Sequence, residues 1–391
     1  MRASFPPREV AHGPERVEMS KKTTRSLRIA ALVYFRPNKR GSLEDRLIAI
    51  ARAAKERGHH FTLFSFGPVH PCMREELALA GAGWRPLAWI EKHPVQAAYH
   101  LAMDFDVVEL SLVPPRGRVA LAAYAAWPAR ILFIDHFSGP VPAAEKRRGR
   151  VSRLLDFFTM TRVRQVAGVS EYVRQRCQQR FRLKKAKTLV IYNGIDTNRF
   201  APPSTRRNGP TVRMVAAGSL IPEKGFHVLI RALSQVPQKN WHLRVVGEGP
   251  ERRKLEELVE EFGLVEKVEF LGLRDDLEAI NRDADILAHP CLWQEAFGLT
   301  IVEGMSCGCC VLASRAGGIP ELIEHNHEGI LIEPGDVEAW ADAISRVLED
   351  HALRGKLGEA ARARAVRDFD LQKSVQRSLA FYEEALHRDG G

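Results

Sequence analysis

The sequence has no apolar run long enough to cross a bilayer as a helix. Its longest apolar stretch, from Val119 to Ile134, is interrupted by Pro128 and Arg130, whereas a membrane-spanning helix needs about 20 apolar residues. Residues 1–26 contain prolines and scattered charges but lack the apolar core of a signal peptide. We therefore predict a disordered basic tail over residues 1–26 and a cytoplasmic protein without a transmembrane span.

Cysteine is also scarce, and its spacing is not that of a metal site. The chain has 6 cysteines, and none of them forms a Cys-x-x-Cys pair with a matching His or Cys partner. Cys307, Cys309 and Cys310 share a strand-like apolar segment. This pattern favours small buried apolar side chains over zinc ligands.

The Gly-x-Gly-x-x-Gly fingerprint of dinucleotide enzymes is missing. The loop after the first predicted strand, Phe35–Ser42, does not contain it, and Gly247-Glu-Gly249 is followed by Arg252 at the third glycine position. The sequence therefore excludes the usual nicotinamide-binding loop. Gly41, just before a predicted helix, could still let the backbone approach a phosphate, although a plain turn before a capped helix explains it almost equally well.

What the chain does have is an ordinary globular composition with an excess of positive charge. Hydrophobic residues make up 45% and charged residues 27% of the 391 residues, as is usual for a folded soluble protein. The length suggests two domains of typical size. The formal net charge of +10 favours an anionic partner, which charge alone leaves open between a sugar nucleotide, a membrane surface and a nucleic acid.

Short apolar runs alternate with amphipathic segments along the whole chain, which predicts parallel sheets with crossover helices. The predicted strands of the first half are Leu27–Tyr34, Phe61–Phe66, Val107–Leu110, Ile131–Ile134 and Val166–Val169. Those of the second half are Val212–Ala217, Leu243–Val246, Val268–Leu271, Ile286–Ala288, Cys310–Ala313 and Ile330–Ile332. Prolines and polar residues break the alternation at residues 197–210.

These runs predict an α/β fold of two Rossmann-like domains, residues 27–196 and 211–366, joined by a linker at 197–210. A final helix within residues 367–391 should pack back toward the first domain. The helix after the first strand is predicted over Leu43–Arg57, with Ser42 and Asp45 spaced as its N-terminal cap and Gly58 as its stop.

The segment from Glu295 to Glu303 is the most informative for function. Gly298 opens an apolar stretch behind a predicted strand, which predicts a helix from about Gly298 to Met305. The free N–H groups and positive dipole end at the start of a helix bind a diphosphate. Glu295, before the helix, could then reach a sugar, and Glu303, inside it, a ribose. The alternative is an unrelated pair of surface glutamates.

Further segments stand in a fixed order along the chain. They are Glu56-Arg-Gly-His59, Val169-Ser-Glu171, Asn193-Gly-Ile-Asp196 with Phe200, Gly218-Ser-Leu-Ile-Pro-Glu-Lys-Gly225, Val246-Gly-Glu-Gly-Pro250, Glu295 to Glu303, and Gly317-Gly-Ile-Pro-Glu321. In this order they resemble the retaining glycosyltransferases of family four, from about Leu27 to Tyr382. The resemblance implies the GT-B fold, in which two Rossmann-like domains face each other across a cleft and the second binds the donor.

The resemblance also implies roles for single residues. Glu295 would contact the donor sugar, Glu303 the ribose, and the amides around Gly298 and Leu299 the diphosphate. The predicted donor-binding residues are Gly41, Ser219, Arg274, Phe297, Gly298, Leu299 and Glu303. The resemblance implies a nucleotide-diphosphate sugar as donor, a UDP-sugar by default, and a glycan, a lipid-linked molecule or a small molecule as acceptor.

The predicted catalytic residues are His136, Glu295 and Lys224. Lys224 matches the family's phosphate-binding lysine, and its charge would offset the charge that builds on the departing diphosphate; a solvated lysine at a helix start is the alternative. His136, at the end of a predicted strand, matches the histidine that faces the donor from the first domain, although a histidine there can also be a packing residue. Family members retain anomeric configuration without a metal. No Asp-x-Asp motif appears where a metal would need one, so no metal and no cofactor are predicted.

One position departs from the family. Ser219 stands where the family usually has arginine, so a second cation on the diphosphate is missing from its expected place. A lost charge-assisted hydrogen bond costs about 1.5–3 kcal/mol. Arg40 or Arg315 could compensate; otherwise the donor is bound differently or activity is reduced.

The stretch from Glu145 to Arg164 is rich in arginine and lysine around an apolar row. It could lie on an anionic membrane and recruit the protein to a lipid-linked acceptor. An ordinary amphipathic helix with its apolar row in the first domain's core is the alternative, and we favour it.

Two other functions stay open at this point. A sugar-nucleotide epimerase shares the two-domain architecture and would release a rearranged sugar without an acceptor. A non-catalytic protein that holds an anionic surface would fit the charge and Ser219, although Lys224, Glu295 and Glu303 argue against it. Nucleic acid is disfavoured, because the basic residues are scattered and no recognition motif accompanies them.

Overall fold

The computed structural model describes residues 25–35, 41–67, 69–138, 156–157, 159–205, 209–238 and 240–387. The predicted tail, except for its last two residues, and Arg40 lie outside these ranges. So does most of the basic stretch from Glu145 to Arg164, for which both the favoured interpretation, an amphipathic helix packed on the core, and the alternative of membrane contact stay untested.

The first half of the chain forms a parallel sheet of 7 strands in the order β3-β2-β1-β4-β5-β6-β7. The strands are β1 Arg28–Val33, β2 His60–Ser65, β3 Gly83–Pro86, β4 Val107–Ser111, β5 Arg130–Asp135, β6 Val163–Gly168 and β7 Thr188–Val190. The helices are α1 Ser42–Glu56, α2 Pro71–Leu79, α3 Leu87–Lys92, α4 Pro94–Asp104, α5 Arg118–Ala125 and α6 Glu171–Phe181. The strand order reverses after β3, as in a doubly wound sheet.

The second half forms a parallel sheet of 6 strands in the order β10-β9-β8-β11-β12-β13. The strands are β8 Val212–Ala217, β9 Trp241–Val246, β10 Val268–Gly272, β11 Ile286–His289, β12 Cys310–Ser314 and β13 Gly329–Ile332. The helices are α7 Phe226–Gln235, α8 Arg252–Glu261, α9 Leu277–Arg282, α10 Leu299–Ser306, α11 Ile319–Leu322, α12 Val337–Glu349, α13 His351–Asp368 and α14 Leu371–His387. A sheet covered on both faces needs apolar strands throughout, which explains the continuous apolar runs in the sequence.

The side chains of β8 show how this sheet is buried on both faces. Met214 and Ala216 point into the cluster formed with α7 and α12. Val215 and Ala217 point into the other cluster, which includes α10 and α13 and continues into the first domain. Alternate residues of a strand face opposite sides, so one short segment contributes to both cores.

The last helix, α14, returns to the first domain, as the fold prediction has it. It packs against α1 and β5. Arg46 of α1 donates a hydrogen bond to Ser378 Oγ at 2.9 Å, and the Tyr382 hydroxyl donates to the buried carboxylate of Glu109 on β4. Hydrogen bonds and packing together therefore hold α14 against the first domain.

The sequence prediction of two parallel-sheet domains is confirmed, and each predicted run overlaps a strand. The strands β3 and β7 were not predicted. Both lie at an edge of the first sheet; β3 contains a glycine and a proline, and β7 has only 3 residues. Edge strands carry little of the apolar pattern on which such predictions depend.

The predicted cap of the first helix is wrong. α1 begins at Ser42, and its N-cap residue is Gly41, which makes no side-chain cap hydrogen bond. The Ser42 hydroxyl instead donates to Glu303 Oε1, at 2.5 Å across the cleft. Gly58 does follow the helix end with a φ of 77°, so the predicted stop is confirmed.

The helices of the described part of the chain include none with both the length and the apolar character needed to span a bilayer. The 6 cysteines are all free, and every one except Cys72 is buried, in agreement with their interpretation as apolar side chains.

Candidate functional site

The candidate site lies where the carboxyl ends of both sheets face each other. Glu295 lies in the loop between β11 and α10, and Lys224 ends a short 3-10 helix after β8. From the first domain, His136 follows the last residue of β5. Loops at the carboxyl ends of parallel strands are where ligands bind in α/β folds.

Glu295 is the centre of the contacts in this cleft. It is buried, and its Oε2 accepts a hydrogen bond from Lys224 Nζ at 2.7 Å. Its Oε1 accepts from the Ser138 hydroxyl at 2.9 Å. One carboxylate therefore joins a cation of its own domain to a hydroxyl of the other.

The Glu295 carboxyl is held in its charged form. Burial alone would raise its pKa, but His289 and the Lys224 ammonium outweigh burial, and the pKa lies well below its usual range. His289 Nε2 is 3.6 Å from Glu295 Oε2. An ionised carboxylate accepts hydrogen bonds and donates none, so Glu295 suits the hydroxyl groups of a sugar.

His136 is held in its neutral form. Burial, together with the positive charge of Arg46, lowers the pKa of its imidazole to about 3. Its buried Nε2 has no hydrogen-bond partner among the described residues. A neutral imidazole has one donor and one acceptor nitrogen, so His136 can bond a ligand hydroxyl without bringing a charge.

The loop that carries Glu295 leads into the start of α10 through Gly298. Gly298 has a φ of 104°, in the region that favours glycine. The first N–H groups of α10 have no partner within the helix and attract an anion. The helix occupies Leu299–Ser306, so its predicted position at about Gly298–Met305 is confirmed.

Gly317 lets a second loop close over the same segment. A Cβ atom at Gly317 would lie only 2.2 Å from the backbone oxygen of Glu295, and its φ is 60°. Gly318 N donates to the Glu295 backbone oxygen at 2.8 Å. The Gly-Gly pair of the sequence therefore packs against the backbone that positions Glu295.

Glu303 lies on α10 and faces the first domain. It is buried, and its Oε1 accepts the 2.5 Å hydrogen bond from Ser42 at the start of α1. A ribose hydroxyl that bound to this oxygen would exchange places with the Ser42 hydroxyl. Gly41 lies directly before Ser42, at the end of α1 that points toward α10.

The other predicted residues lie around this centre at different depths. The Phe297 side chain is buried against Tyr192 and Phe369, with ring centroids 6.0 and 5.7 Å away. Leu299 is half-buried, and Ser219 is exposed after β8. Their predicted contacts with a donor stay predictions.

Two arginines considered for the diphosphate have carboxylate partners. Arg274 pairs with Asp276, with Nη2 2.6 Å from Oδ2. Arg315, suggested as a substitute for the cation missing at Ser219, pairs with Glu333 at 3.1 Å. Both are exposed ion pairs, which contribute little to stability, and the predicted contacts of these two arginines with a diphosphate stay predictions.

One group in the cleft has the donor atoms of a metal site. Atoms of His289, Cys291 and Glu295 lie within 4.8 Å of one another. However, burial raises the pKa of the Cys291 thiol to about 12, and the Lys224 ammonium already lies on Glu295. A thiol that keeps its proton beside a fixed cation is a poor start for a metal centre.

Besides His289, three further residues that contribute to the cleft were not predicted from the sequence. Ser138 bonds Glu295 and also accepts from Ala296 N at 3.1 Å. Ser170 donates to the Ala296 backbone oxygen at 2.6 Å. Glu321 accepts from the backbone N–H groups of Glu171 and Tyr172, both at 2.7 Å. The segments that contain Ser170 and Glu321 carry the family resemblance, but the pairing between them is visible only in the fold.

Comparisons with known proteins agree with this architecture. The sequence model described as Glycosyltransferase Family 4 matches residues 43–199, and that described as Glycosyl transferases group 1 matches residues 198–364. The chain is 32% identical over 281 residues to the GDP-mannose-dependent alpha-(1-6)-phosphatidylinositol monomannoside mannosyltransferase of Mycolicibacterium smegmatis, covering 66% of this chain and 71% of that protein.

Two further comparisons cover different shares of the chain. The chain is 33% identical over 216 residues to the D-inositol 3-phosphate glycosyltransferase of Corynebacterium jeikeium, an alignment that spans about half of each, 50% of this chain and 51% of that protein. The crystal structure of Anabaena HepE in complex with UDP and glucose superposes with a TM-score of 0.73 at 24% identity, covering 92% of this chain and 100% of that one. The latter likeness concerns the fold.

The two facing parallel sheets, with an acidic and basic pair at a helix start between them, define a glycosyltransferase of the GT-B class. The chain belongs to the family-four glycosyltransferases, and its second half matches the group 1 model. The epimerase and the non-catalytic binder that the sequence left open are not favoured by these comparisons.

Proposed function

We propose that the protein transfers a glycosyl group from a nucleoside diphosphate sugar to a hydroxyl acceptor, with retention of anomeric configuration and without a metal ion. The observation that carries the proposal is the meeting of Glu295, Lys224 and the start of α10 in one cleft, with Lys224 Nζ 2.7 Å from Glu295 Oε2. These groups match, in order, a sugar, a diphosphate charge and diphosphate oxygens.

The donor lies along α10. Its diphosphate contacts the free N–H groups after Gly298, where a helix start contributes about 0.3–1 kcal/mol toward an anion and up to about 2 when partly buried. Its ribose bonds Glu303. Lys224 uses one of its three N–H groups on Glu295 and has others for phosphate oxygens.

The reaction exchanges one bond at the anomeric carbon for another. The acceptor oxygen forms the new bond on the face from which the diphosphate leaves, and the leaving phosphate oxygen takes the acceptor's proton. Lys224 and the start of α10 stabilise the charge that develops on the leaving diphosphate. Glu295 and the neutral His136 hold the hydroxyl groups of the sugar and keep its anomeric carbon in place.

The acceptor is a hydroxyl compound bound from the side of the first domain. The mannosyltransferase and the inositol phosphate glycosyltransferase are named for a lipid-bound and a small acceptor respectively. We place this protein in the cytoplasm, at the face of a membrane, with a lipid-linked acceptor. For the donor, the named relatives make a GDP-sugar as serious a candidate as the UDP-sugar predicted by default.

A thermal-shift and calorimetric screen of UDP, GDP, ADP and their sugar conjugates tests the proposal. A ligand at about a hundredfold over its Kd stabilises the folded state by roughly 2.7 kcal/mol. The substitution Lys224→Met should weaken binding about 10- to 150-fold, since a hydrogen bond to a charged group contributes about 1.5–3 kcal/mol. Lys254→Met, at an exposed lysine of α8, is the matched control and should bind as the wild type does.

Two outcomes would overturn this function. The first is that none of the nucleotides stabilises the protein; the second is that Lys224→Met and Lys254→Met bind equally well. Once the donor is known, NMR of the product should show the anomeric configuration of the donor, and a chelator should leave the rate unchanged.

A further inference from the structure

A row of exposed apolar side chains runs along one face of α4. Val95, Tyr99 and Met103 are spaced four residues apart and therefore share a face of the helix, and they are 83%, 64% and 56% exposed. On its other side α4 buries Ala97 and Leu101. A surface helix normally presents polar residues to water on the face away from the core, so this row is not needed for the fold.

Further exposed apolar side chains lie on the neighbouring helix and just after it. α5 packs against α4, and its Leu121 is 50% exposed. Trp127, which follows the end of α5, is 73% exposed. We name these five residues, Val95, Tyr99, Met103, Leu121 and Trp127, the α4–α5 surface. A group of large apolar side chains on adjacent elements marks an interaction site.

Positive charge gathers at the Trp127 end of this surface. Trp127 lines a pocket of about 350 Å³ together with Arg130, Arg162, Arg164 and Lys187, and none of the described residues that line it is acidic. We name these four cations the basic pocket. Burial, together with Arg164, lowers the pKa of Lys187, as expected where cations are crowded. The carboxylate on α4, Asp104, already faces Arg85 and His100.

The topology places both features along one side of the first domain. β5 runs from Arg130 to Asp135, so the basic pocket lies at the amino ends of the strands, whereas His136 lies at their carboxyl ends. A crossover helix runs back against the direction of the parallel strands. Val95 therefore lies toward the carboxyl ends of the strands, where the candidate site is. Met103 lies toward their amino ends, where the basic pocket is.

We propose that the α4–α5 surface and the basic pocket dock the protein on an anionic phospholipid bilayer. Tyrosine and tryptophan favour the boundary between water and lipid. Apolar side chains beside a group of cations are the pattern of interfacial anchors, and each cation adds to binding near a negative lipid surface. The inference deepens the proposed function, because it gives a lipid-linked acceptor a route to the cleft, but the docking itself does not require that activity.

Vesicle co-sedimentation of the full chain tests the docking. The wild type should sediment with phosphatidylcholine vesicles that contain phosphatidylglycerol and much less with phosphatidylcholine alone. The triple substitution Val95→Ser, Tyr99→Ser and Met103→Ser should lower the partition coefficient at least about tenfold, since each exposed apolar side chain that enters the interface contributes to binding. The substitution Arg162→Glu should lower it at least about fivefold, the equivalent of about 1 kcal/mol for one cation.

The second domain offers a matched control. Val265 and Leu273 are 57% and 72% exposed and lie far along the chain from α4, so Val265→Ser with Leu273→Ser should leave the partition coefficient unchanged. The thermal midpoints of all variants should stay near that of the wild type, because the replaced side chains are on the surface.

Three results would overturn the docking proposal. They are a wild type that does not bind the anionic vesicles, an equal loss for the control pair, and a wild-type dimer without lipid that the triple substitution makes monomeric. The nucleotide screen, run on the same variants, separates this proposal from the enzymatic one. Lost vesicle binding with intact nucleotide binding affects only the surface, and lost nucleotide binding with intact vesicle binding affects only the cleft.

Discussion

At the scale of single residues, the site sets a charged carboxylate and a neutral imidazole on opposite sides of one cleft. The pKa of Glu295 is lowered by its cationic and histidine neighbours despite burial, and that of His136 is lowered by burial and by Arg46. Neither group therefore takes up a proton near neutral pH, as their proposed hydrogen bonds to sugar hydroxyls require. A sugar needs such partners, because its hydroxyls carry no charge.

The low pKa of His136 predicts a dependence of stability on pH. Its ordinary pKa is 6.5 and its folded pKa about 3, so between these values the unfolded chain binds a proton that the folded chain does not. The free energy of unfolding should therefore fall as the pH falls, by about 1.4 kcal/mol per pH unit from this residue alone between roughly pH 6 and 4.

Urea unfolding of the wild type and of His136→Gln over this pH range measures the effect. The variant should lose less stability on acidification, and the difference between the two slopes should be close to the value given above. Identical slopes would mean that His136 is protonated in the folded state, contrary to its assigned role as a neutral hydrogen-bonding group.

Ser219 gives the second prediction at this scale. It is exposed after β8, where the family usually has an arginine, so Ser219→Arg should add a charge-assisted contact to the diphosphate. We expect calorimetry to show donor binding tightened by about 1.5–3 kcal/mol, or roughly 10- to 150-fold in Kd.

The added charge itself needs a control. Ser204 is an exposed serine in the segment of the chain that connects the two sheets. Ser204→Arg raises the net charge equally and should have little effect. Weaker donor binding by Ser219→Arg would show that the loop after β8 does not face the diphosphate.

At the scale of secondary-structure elements, the proposed function makes donor binding depend on the start of α10. Gly298→Ala would put a side chain on a residue with a φ of 104°, at a cost of about 1–3 kcal/mol in the free energy of unfolding. The change should also weaken diphosphate binding, because relief of the strain would turn the first N–H groups of α10 away from the cleft.

Gly263→Ala serves as the control for Gly298→Ala. Gly263 also has a positive φ, 64°, but a Cβ there would meet nothing within 4 Å, and it follows α8. This variant should lose stability and keep its affinity for the nucleotide. If both variants kept that affinity in calorimetry, the N–H groups of α10 would not hold the diphosphate.

The sequence predicted most elements because their apolar runs are long and buried on both faces. It failed where the deciding contact comes from a distant part of the chain. Ser42 has the spacing of a helix cap, yet its hydroxyl bonds Glu303 across the cleft. A buried carboxylate without a donor is costly, so the hydroxyl satisfies Glu303. No local pattern could have shown this.

At the scale of the whole molecule, the same limit applies to the site. The motifs predicted which charged residues of the second domain belong to the candidate site and where α10 begins. They did not predict that Ser138 would bond Glu295, or that Glu321 would bond the backbone of α6, because these contacts depend on how the two sheets face each other. The predicted roles of the site residues toward a donor remain predictions.

Glu321 of the second domain contributes a set of hydrogen bonds to the first domain, which leads to a prediction about how the two domains are held together. Its carboxylate accepts from the N–H groups of Glu171 and Tyr172 at the start of α6, both at 2.7 Å, and from the Tyr192 hydroxyl at 3.1 Å. Glu321→Ala should let these two amides exchange with solvent at least about tenfold faster, the equivalent of about 1.4 kcal/mol.

Hydrogen–deuterium exchange at the two amides measures this change. Glu324→Ala removes an exposed carboxylate nearby and should leave their exchange rates as in the wild type. Equal rates in the wild type and in Glu321→Ala would show that this contact does not hold the domains together in solution.

The most direct test of the central claim is a crystal structure of the protein with the nucleoside diphosphate that stabilises it most. We predict the diphosphate at the N–H groups of Gly298 and Leu299, Lys224 on a phosphate oxygen, and the ribose on Glu303 in place of the Ser42 hydroxyl. A nucleotide bound elsewhere, with the Ser42–Glu303 hydrogen bond intact, would contradict it.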